Sequence, residues 1–336
     1  MTDKVAELGE RLTAYRGAAL RAVDYTTGFL QPDGGYIWEG YVPNAFHKQV
    51  YSWLLAGRIE ESHRLMDWAG RNRLQTDGRL KEYVGDVYKQ TWFALSAQRL
   101  GRYELSYPVM NYLMSLQAPC GGFPRYEDED VVRAVASGFV GIAALAFGTL
   151  EVAKQAAQSC IDTLDRQPVE GRFYCHMARD GKVVTENDHP KALHVDMSKP
   201  KQIYYELGVP MLLMCRLYQV TREKKWLEAA KRFFETHLAC FEDSFACVGS
   251  GKSALAAAIY YGLTDDERAL EAAYRWCDFV VETQLPDGSW IDLPKEPDEL
   301  LYYVDHAACF TIWLLETALT LESKAAQTTL TRPDDI

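Results

Sequence analysis

The chain has 336 residues, of which 48% are hydrophobic and 25% charged, with a formal net charge of -11 and an isoelectric point near 5.2. That length is ample to bury a large core, and the composition is that of a globular chain rather than a disordered one. The acidic balance argues against a general nucleic-acid or anionic-membrane binder, so any anion must be held through a local cationic site or a metal.

The opening segment, MTDKVAELGERLTAYRG, is charged and helix-like and lacks the apolar stretch of a secretory signal. The uncharged stretch between Arg133 and Glu151 carries Gly, Ser and Thr. It is marginal in length for a membrane span and reads as a fully buried helix. Eight cysteines include no C-x-x-C pair, and Cys160, Cys215, Cys277 and Cys309 fall in apolar helical stretches. They read as reduced thiols in a core, and the location as cytoplasmic.

A rhythm runs through the chain. A Gln or aromatic is followed by a short Gly-containing break, as in LQPDGGYIW, LQTDGRLKEY, LQAPCGGFPRY, RQPVEGRFY and TQLPDGSWIDL. Gln31, Gln75, Gln117 and Gln167 recur roughly every 40 to 50 residues, the period of helical-pair repeats. Before each break sits an amphipathic helix with exposed charges, as in DDERALEAAYRWCDFVVETQ; after it comes a more apolar one. The six apolar helices are expected to start near Asn44, Asp86, Val131, Lys201, Ser250 and Tyr303. A one-face-apolar helix belongs on the surface and an all-round apolar helix inside. The expected fold is therefore all-α, an (α/α)6 toroid of six helical hairpins over residues 1–325, with 326–336 a frayed tail. A few short strands fit in the breaks, and the polar stretch Arg179–Lys199 is expected to be a lid or a disordered loop.

In such a toroid every break lies at one end, so the inner helices begin around a shared mouth. Their first turns carry His47 and Lys48; Asp86, Lys89 and Gln90; Asp130 and Arg133; Gln202 and Glu206; Lys252; and Asp305 and His306. Trp38, Trp92 and Tyr205 are among the aromatics that flank them. Lys252 opens the apolar run GKSALAAAIYYG. A lysine in the core is costly, whereas one at a polar mouth faces an anion, with helix N-termini adding partial positive charge. Asp86, Asp130, Asp305 and Ser250 equally fit plain helix caps. Trp290 in DGSW reads as a structural tie.

The chain has no G-x-S-x-G, Walker loop, G-x-G-x-x-G or H-E-x-x-H motif. GSGKS lacks the strand and upstream glycine of a phosphate loop. Metal candidates are Asp305, His306 and Cys309; Glu186, His189, His194 and Asp196; and the acidic run Glu127, Asp128, Glu129 and Asp130. Zinc favours the His and Cys sets, magnesium the oxygen-rich one.

QLPDGSW and QPDGGYIW resemble the Gln-Trp motifs of squalene and terpenoid cyclases, and VDHAACFTIWLL resembles the zinc helix of prenyltransferase β-subunits with a different Asp-to-Cys spacing. QIYYELGVPMLLMCRLYQVTREKKWLEAAKRFFE resembles the six-hairpin glycosidase superfamily, and that likeness covers most of the chain. The mouth is also similar to the non-canonical humulene synthases of fungal tropolone-sesquiterpenoid pathways, which pair magnesium with an essential lysine and an apolar residue four positions before it; Lys252 and Val248 match.

Two functions follow. The resemblance to humulene synthases implies a terpene cyclase that ionises farnesyl diphosphate on Mg2+. Asp86, Asp130, Glu206 and Asp305 would hold the metal, with Asp128 in reserve. Lys252 would neutralise the departing prenyl diphosphate with Lys89, Arg133 or His306, while Val248, Trp38, Trp92 and Tyr205 line the cation's pocket. No Asp-Asp-x-x-Asp run is present. The alternative is a carbohydrate-active hydrolase, lyase or epimerase, with Asp86 and Asp130 or Glu206 as acid and base and Lys252 on a uronate. The cyclase is the leading expectation, because lysine and carboxylates stand beside an aromatic and aliphatic interior. The oligomeric state is open.

Overall fold

The computed structural model describes residues 2–36, 46–83, 85–189, 192–290 and 300–330. Twelve α-helices run through them: α1 (Thr2–Thr27), α2 (Gln49–Leu55), α3 (Ile59–Asn72), α4 (Val87–Arg99), α5 (Tyr103–Ser115), α6 (Ala134–Ala146), α7 (Leu150–Asp165), α8 (Tyr205–Thr221), α9 (Lys224–Leu238), α10 (Gly251–Thr264), α11 (Glu267–Glu282) and α12 (Leu300–Leu330). The even-numbered helices follow one another around a closed inner ring, α2, α4, α6, α8, α10, α12 and back to α2. Each odd-numbered helix packs outside it, and α1 closes the last hairpin against α12. The expected (α/α)6 toroid is the observed fold.

Burial sorts the two rings. In the outer α9 the buried residues are Trp226, Ala229, Ala230, Phe233, Phe234 and His237, a spacing of three and four that puts them on one face. In the inner α10 every residue from Gly251 to Tyr260 is buried. At one end the turns from inner to outer helix are tight, and left-handed residues stop the inner helices: Gly57, Gly101, Gly148, Arg222 and Asp265. There Glu316 of α12 ties the ring together, accepting from Tyr51 of α2 and pairing with Arg99 of α4 and Arg216 of α8, and a cavity of about 510 Å³ opens beside it.

At the other end lie the long breaks, and their repeat has a steric reason. Gly34, Gly78, Gly121 and Gly288 all take positive φ. A Cβ on them would come 2.7, 2.2, 2.5 and 2.4 Å from the carbonyl oxygens of Arg64, Pro108, Gln155 and Arg21, each on the next outer helix. The preceding glutamines complete the tie: Gln117 donates to the Gly121 and Val152 carbonyls, and Gln284 to those of Gly288 and Ala18. Trp290 is a structural tie as expected, its indole N–H donating to Val280 and its ring set edge-on against Phe310.

Three boundaries differ from the sequence reading. Residues Val131–Arg133 form a strand, β1, rather than the start of an inner helix, because β1 pairs with β3 (His176–Ala178), which pairs in turn with β4 (Val183–Val184). The stretch Arg179–Lys199 is not one long loop: β4 and β5 (His194–Asp196) lie in it, and β5 pairs with β2 (Arg172–Tyr174). Helix α12 begins at Leu300, before Tyr303, and runs on to Leu330 through the first residues read as a tail. No disulfide joins the cysteines, and among the described residues no helix is long and apolar enough to cross a membrane.

Candidate functional site

A cleft of about 280 Å³ opens at the mouth, lined by Tyr88, Arg125, Tyr126, Arg133, Val135, Tyr205 and Lys252. Its described lining holds three cations, three phenols and no carboxylate.

Lys252 is placed by crowding around its backbone. A Cβ on Gly251 would lie 2.5 Å from Trp313, and one on Gly208 of α8 would lie 2.2 Å from Ser253, so α10 starts wedged between its neighbours. The lysine side chain is 9% exposed and leads to the cleft. Its Nζ stands 6.0 Å from the ring centre of Tyr88, 5.5 Å from Tyr205 and 5.6 Å from Trp313. Among the described residues it has no hydrogen bond and no ion pair. Burial presses the ammonium down, the Tyr88 phenol and Cys309 thiol push it up, and the balance lies above the ordinary lysine value.

The carboxylates stand behind the cleft, each tied to a cation. Glu206 in the first turn of α8 is fully buried; Oε1 accepts from Arg133 Nε at 2.6 Å and Oε2 from the Val135 N–H at 2.9 Å. Burial raises its carboxyl above the ordinary glutamate value, against the pull of Arg133. Asp86 caps α4, accepting the Lys89 N–H at 2.9 Å, and pairs through both oxygens with Arg125. Asp305, one turn inside α12, takes Lys48 Nζ at 2.8 and 2.7 Å, with His47 Nε2 3.5 Å away. Burial works to raise Asp305, but Lys48, His47 and His306 together outweigh it and hold the carboxyl well below the usual range.

Of the residues expected at the site, Lys252, Arg133 and Tyr205 line the cleft. Lys89 stands beside Asp86, its Nζ 3.6 Å from Oδ2. Trp92 lies in the core, 4.6 Å from Phe139 and 5.6 Å from Trp313 between ring centres. Val248 is in a 3-10 turn before α10, packed against the core rather than lining the cleft. His306 is stacked on Phe310. Trp38 lies outside the described residues. Of the helix-cap readings, Asp86 caps α4; Ser250 makes no cap hydrogen bond, Asp130 is exposed four residues before α6, and Asp305 is inside a helix.

The proposed magnesium ligands do not come together. Asp130 is exposed, and Asp86, Glu206 and Asp305 are each held by a different cation. In the acidic run, Glu127 pairs with Arg79 and Glu129 accepts the backbone N–H groups of Arg125 and Tyr126. Both therefore fasten a turn. Among the described residues no three His, Cys, Asp or Glu side chains are placed to hold a metal. The zinc sets fail in the same way: Glu186 pairs with Arg172, and Asp196 accepts from Ser198.

Sequence reasoning missed Tyr88, Arg125, Tyr126 and Val135. Arg125 and Tyr126 sit in FPRYEDED, directly before its acidic run. It also missed His176, which β1–β3 pairing sets beside Arg133. Burial, helped by Arg133, lowers the His176 imidazole to about 4; burial alone takes His237 in the core to about 4. Both stay neutral in the fold but take a proton near 6.5 once unfolded. Their stabilisation is thus present above pH 6.5 and lost as the pH falls toward 4. The melting temperature is expected to drop steadily between pH 7 and 4.5, and His237→Gln to flatten the slope; a wild-type melt independent of pH over that range would contradict this.

No protein-family model and no curated protein sequence matches the chain. Solved structures do. The α-1,6-mannanase GH76A of Salegentibacter sp. HEL1_6 is similar over 91% of this chain and 99% of its own, with a TM-score of 0.63 and 14% identity. A D-mannose isomerase is similar over 89% and 97%, at 0.65 and 12%. An unsaturated glucuronyl hydrolase specific for heparin is similar over 95% and 98%, at 0.62 and 12%. At these identities the likeness is one of fold: the six-hairpin toroid of carbohydrate-active enzymes. This corrects the leading expectation of a terpene cyclase. The similar structures named above are sugar enzymes, and three of the four carboxylates assigned to farnesyl diphosphate's magnesium, Asp86, Glu206 and Asp305, are spent on separate ion pairs.

Proposed function

We propose that the chain is a carbohydrate-active enzyme whose saccharide lies in the mouth cleft. The observation that carries this reading is the set of three tyrosines, Tyr88, Tyr126 and Tyr205, around a cleft backed by the Asp86 and Glu206 ion pairs. Phenol rings pack on the apolar faces of sugars while their hydroxyls meet sugar hydroxyls. The shared toroid adds support by analogy.

Glu206, raised by burial, is the proton donor in this reading, and Asp86 the acceptor. The adjacent aspartates replaced in the inactive mannanase have no counterpart pair at this mouth: the described Asp265–Asp266 pair falls in the tight turn after α10, at the opposite end. The reaction therefore need not be that of the mannanase.

The test is incubation with a panel of neutral and acidic oligosaccharides, followed by NMR, which distinguishes hydrolysis, elimination and isomerisation. One turned-over saccharide, with activity lowered about 10²- to 10⁴-fold in Asp86→Asn and Glu206→Gln, supports the reading. Inertness toward the whole panel removes it.

A further inference from the structure

An ammonium that is nine-tenths buried is costly unless something anionic meets it. Every other cation of the mouth described above has its carboxylate: Lys48 has Asp305, Lys89 and Arg125 have Asp86, and Arg133 has Glu206. Among the described residues Lys252 has only ring faces, at 5.5 to 6.0 Å. It also shares its cleft with Arg125 and Arg133, in a chain whose overall charge is -11. A local excess of positive charge inside an acidic protein is a site for an anion, and the low-dielectric surroundings strengthen each contact.

Resting on the saccharide reading, we propose that the cleft selects an acidic saccharide, and that Lys252 is the residue that pairs with its anionic group. The anion is a sugar carboxylate or a sugar phosphate; both present oxygens that an ammonium flanked by two guanidinium groups recognises. The three tyrosines hold the ring that carries it. The anion draws on Arg133 as well, and in doing so loosens Arg133 from Glu206. Acid recognition and release of the buried carboxyl are then one event. Lys252 stays unpaired in the empty protein because its partner arrives with the substrate.

The test is isothermal titration of the purified protein with cellobiose, cellobiouronic acid, glucose 6-phosphate and inorganic phosphate, at 50 and 300 mM salt. The expected result is at least tenfold tighter binding of one of the two acidic sugars than of cellobiose, weakening as salt is raised. Which of the two binds identifies the anion. Lys252→Met is expected to erase the preference, and Lys252→Arg to keep most of it. Lys252→Met should also melt no lower than wild type, because it removes a lone buried charge, so a lost preference is not a lost fold.

Cellobiose bound as tightly as cellobiouronic acid and glucose 6-phosphate would overturn the inference and leave the saccharide reading standing. An acid preference that survives Lys252→Met would overturn the role given to that lysine. Binding of inorganic phosphate with no saccharide bound would overturn both the inference and the reading beneath it.

Discussion

Arg133→Met is expected to lower the stability of the fold by about 3–5 kcal/mol at pH 8, the usual cost of stripping one partner from a buried ion pair. Glu206 is fully buried, and among the described residues its carboxylate is met, besides Arg133, only by the Val135 N–H. Its carboxyl already lies above the ordinary value through burial, and without the guanidinium it rises further. A carboxyl whose folded pKa is raised costs stability above its unfolded value, near 4.3; below the folded pKa that cost shrinks with falling pH and is gone only near the unfolded value. The penalty relative to wild type should therefore shrink as the pH falls from 8 toward 5. Urea unfolding of both proteins at the two pH values checks this. A difference that is the same at both would mean that Arg133 contributes packing rather than charge. Arg133→Met with Glu206→Gln should recover part of the loss, since the pair then no longer leaves a bare charge inside.

Gly78→Ala should cost about 2–4 kcal/mol, combining a left-handed backbone with a collision. The added methyl would stand 2.2 Å from the carbonyl oxygen of Pro108 and 2.8 Å from its carbon, both backbone atoms of α5 that cannot swing aside. Gly101→Ala is the control. Its φ of 72° is also left-handed, yet nothing lies within 4 Å of its added methyl, so about 1 kcal/mol is expected. Thermal melts of the two variants separate backbone conformation from contact. Equal losses would mean that the break does not bear on the next outer helix as the distances indicate.

The same glycines explain why the fold was legible in the sequence. Gly34, Gly78, Gly121 and Gly288 face one steric problem, that of a break passing over a helix carbonyl, and the chain meets it with one residue type each time. A constraint repeated in space leaves a repeat in sequence. The mouth was legible as a place for the same reason, since breaks and inner-helix starts share an end. Its chemistry was not. Asp86 finds Arg125 39 residues away and Lys48 finds Asp305 257 residues away, through loop paths that no local spacing encodes. A carboxylate read alone looks like a metal ligand; only its partner reveals an ion pair. Lys252 was conspicuous because it interrupts an apolar run, whereas Tyr88 and Arg125 look ordinary where they stand.

The pairing of α1 with α12 governs the order in which the chain acquires its shape. On a ribosome, α1 emerges well before α12, with Tyr15, Ala18, Ala19 and Ala22 bare until its partner follows nearly three hundred residues later. The five intervening hairpins are contiguous in sequence and can form as they appear, but ring closure joins the most distant parts of the polypeptide. Such long-range closure is slow and leaves an apolar helix face exposed in the meantime. Until then the nascent toroid is an open spiral with an unclosed seam, and its most aggregation-prone moment comes just before α12 is released.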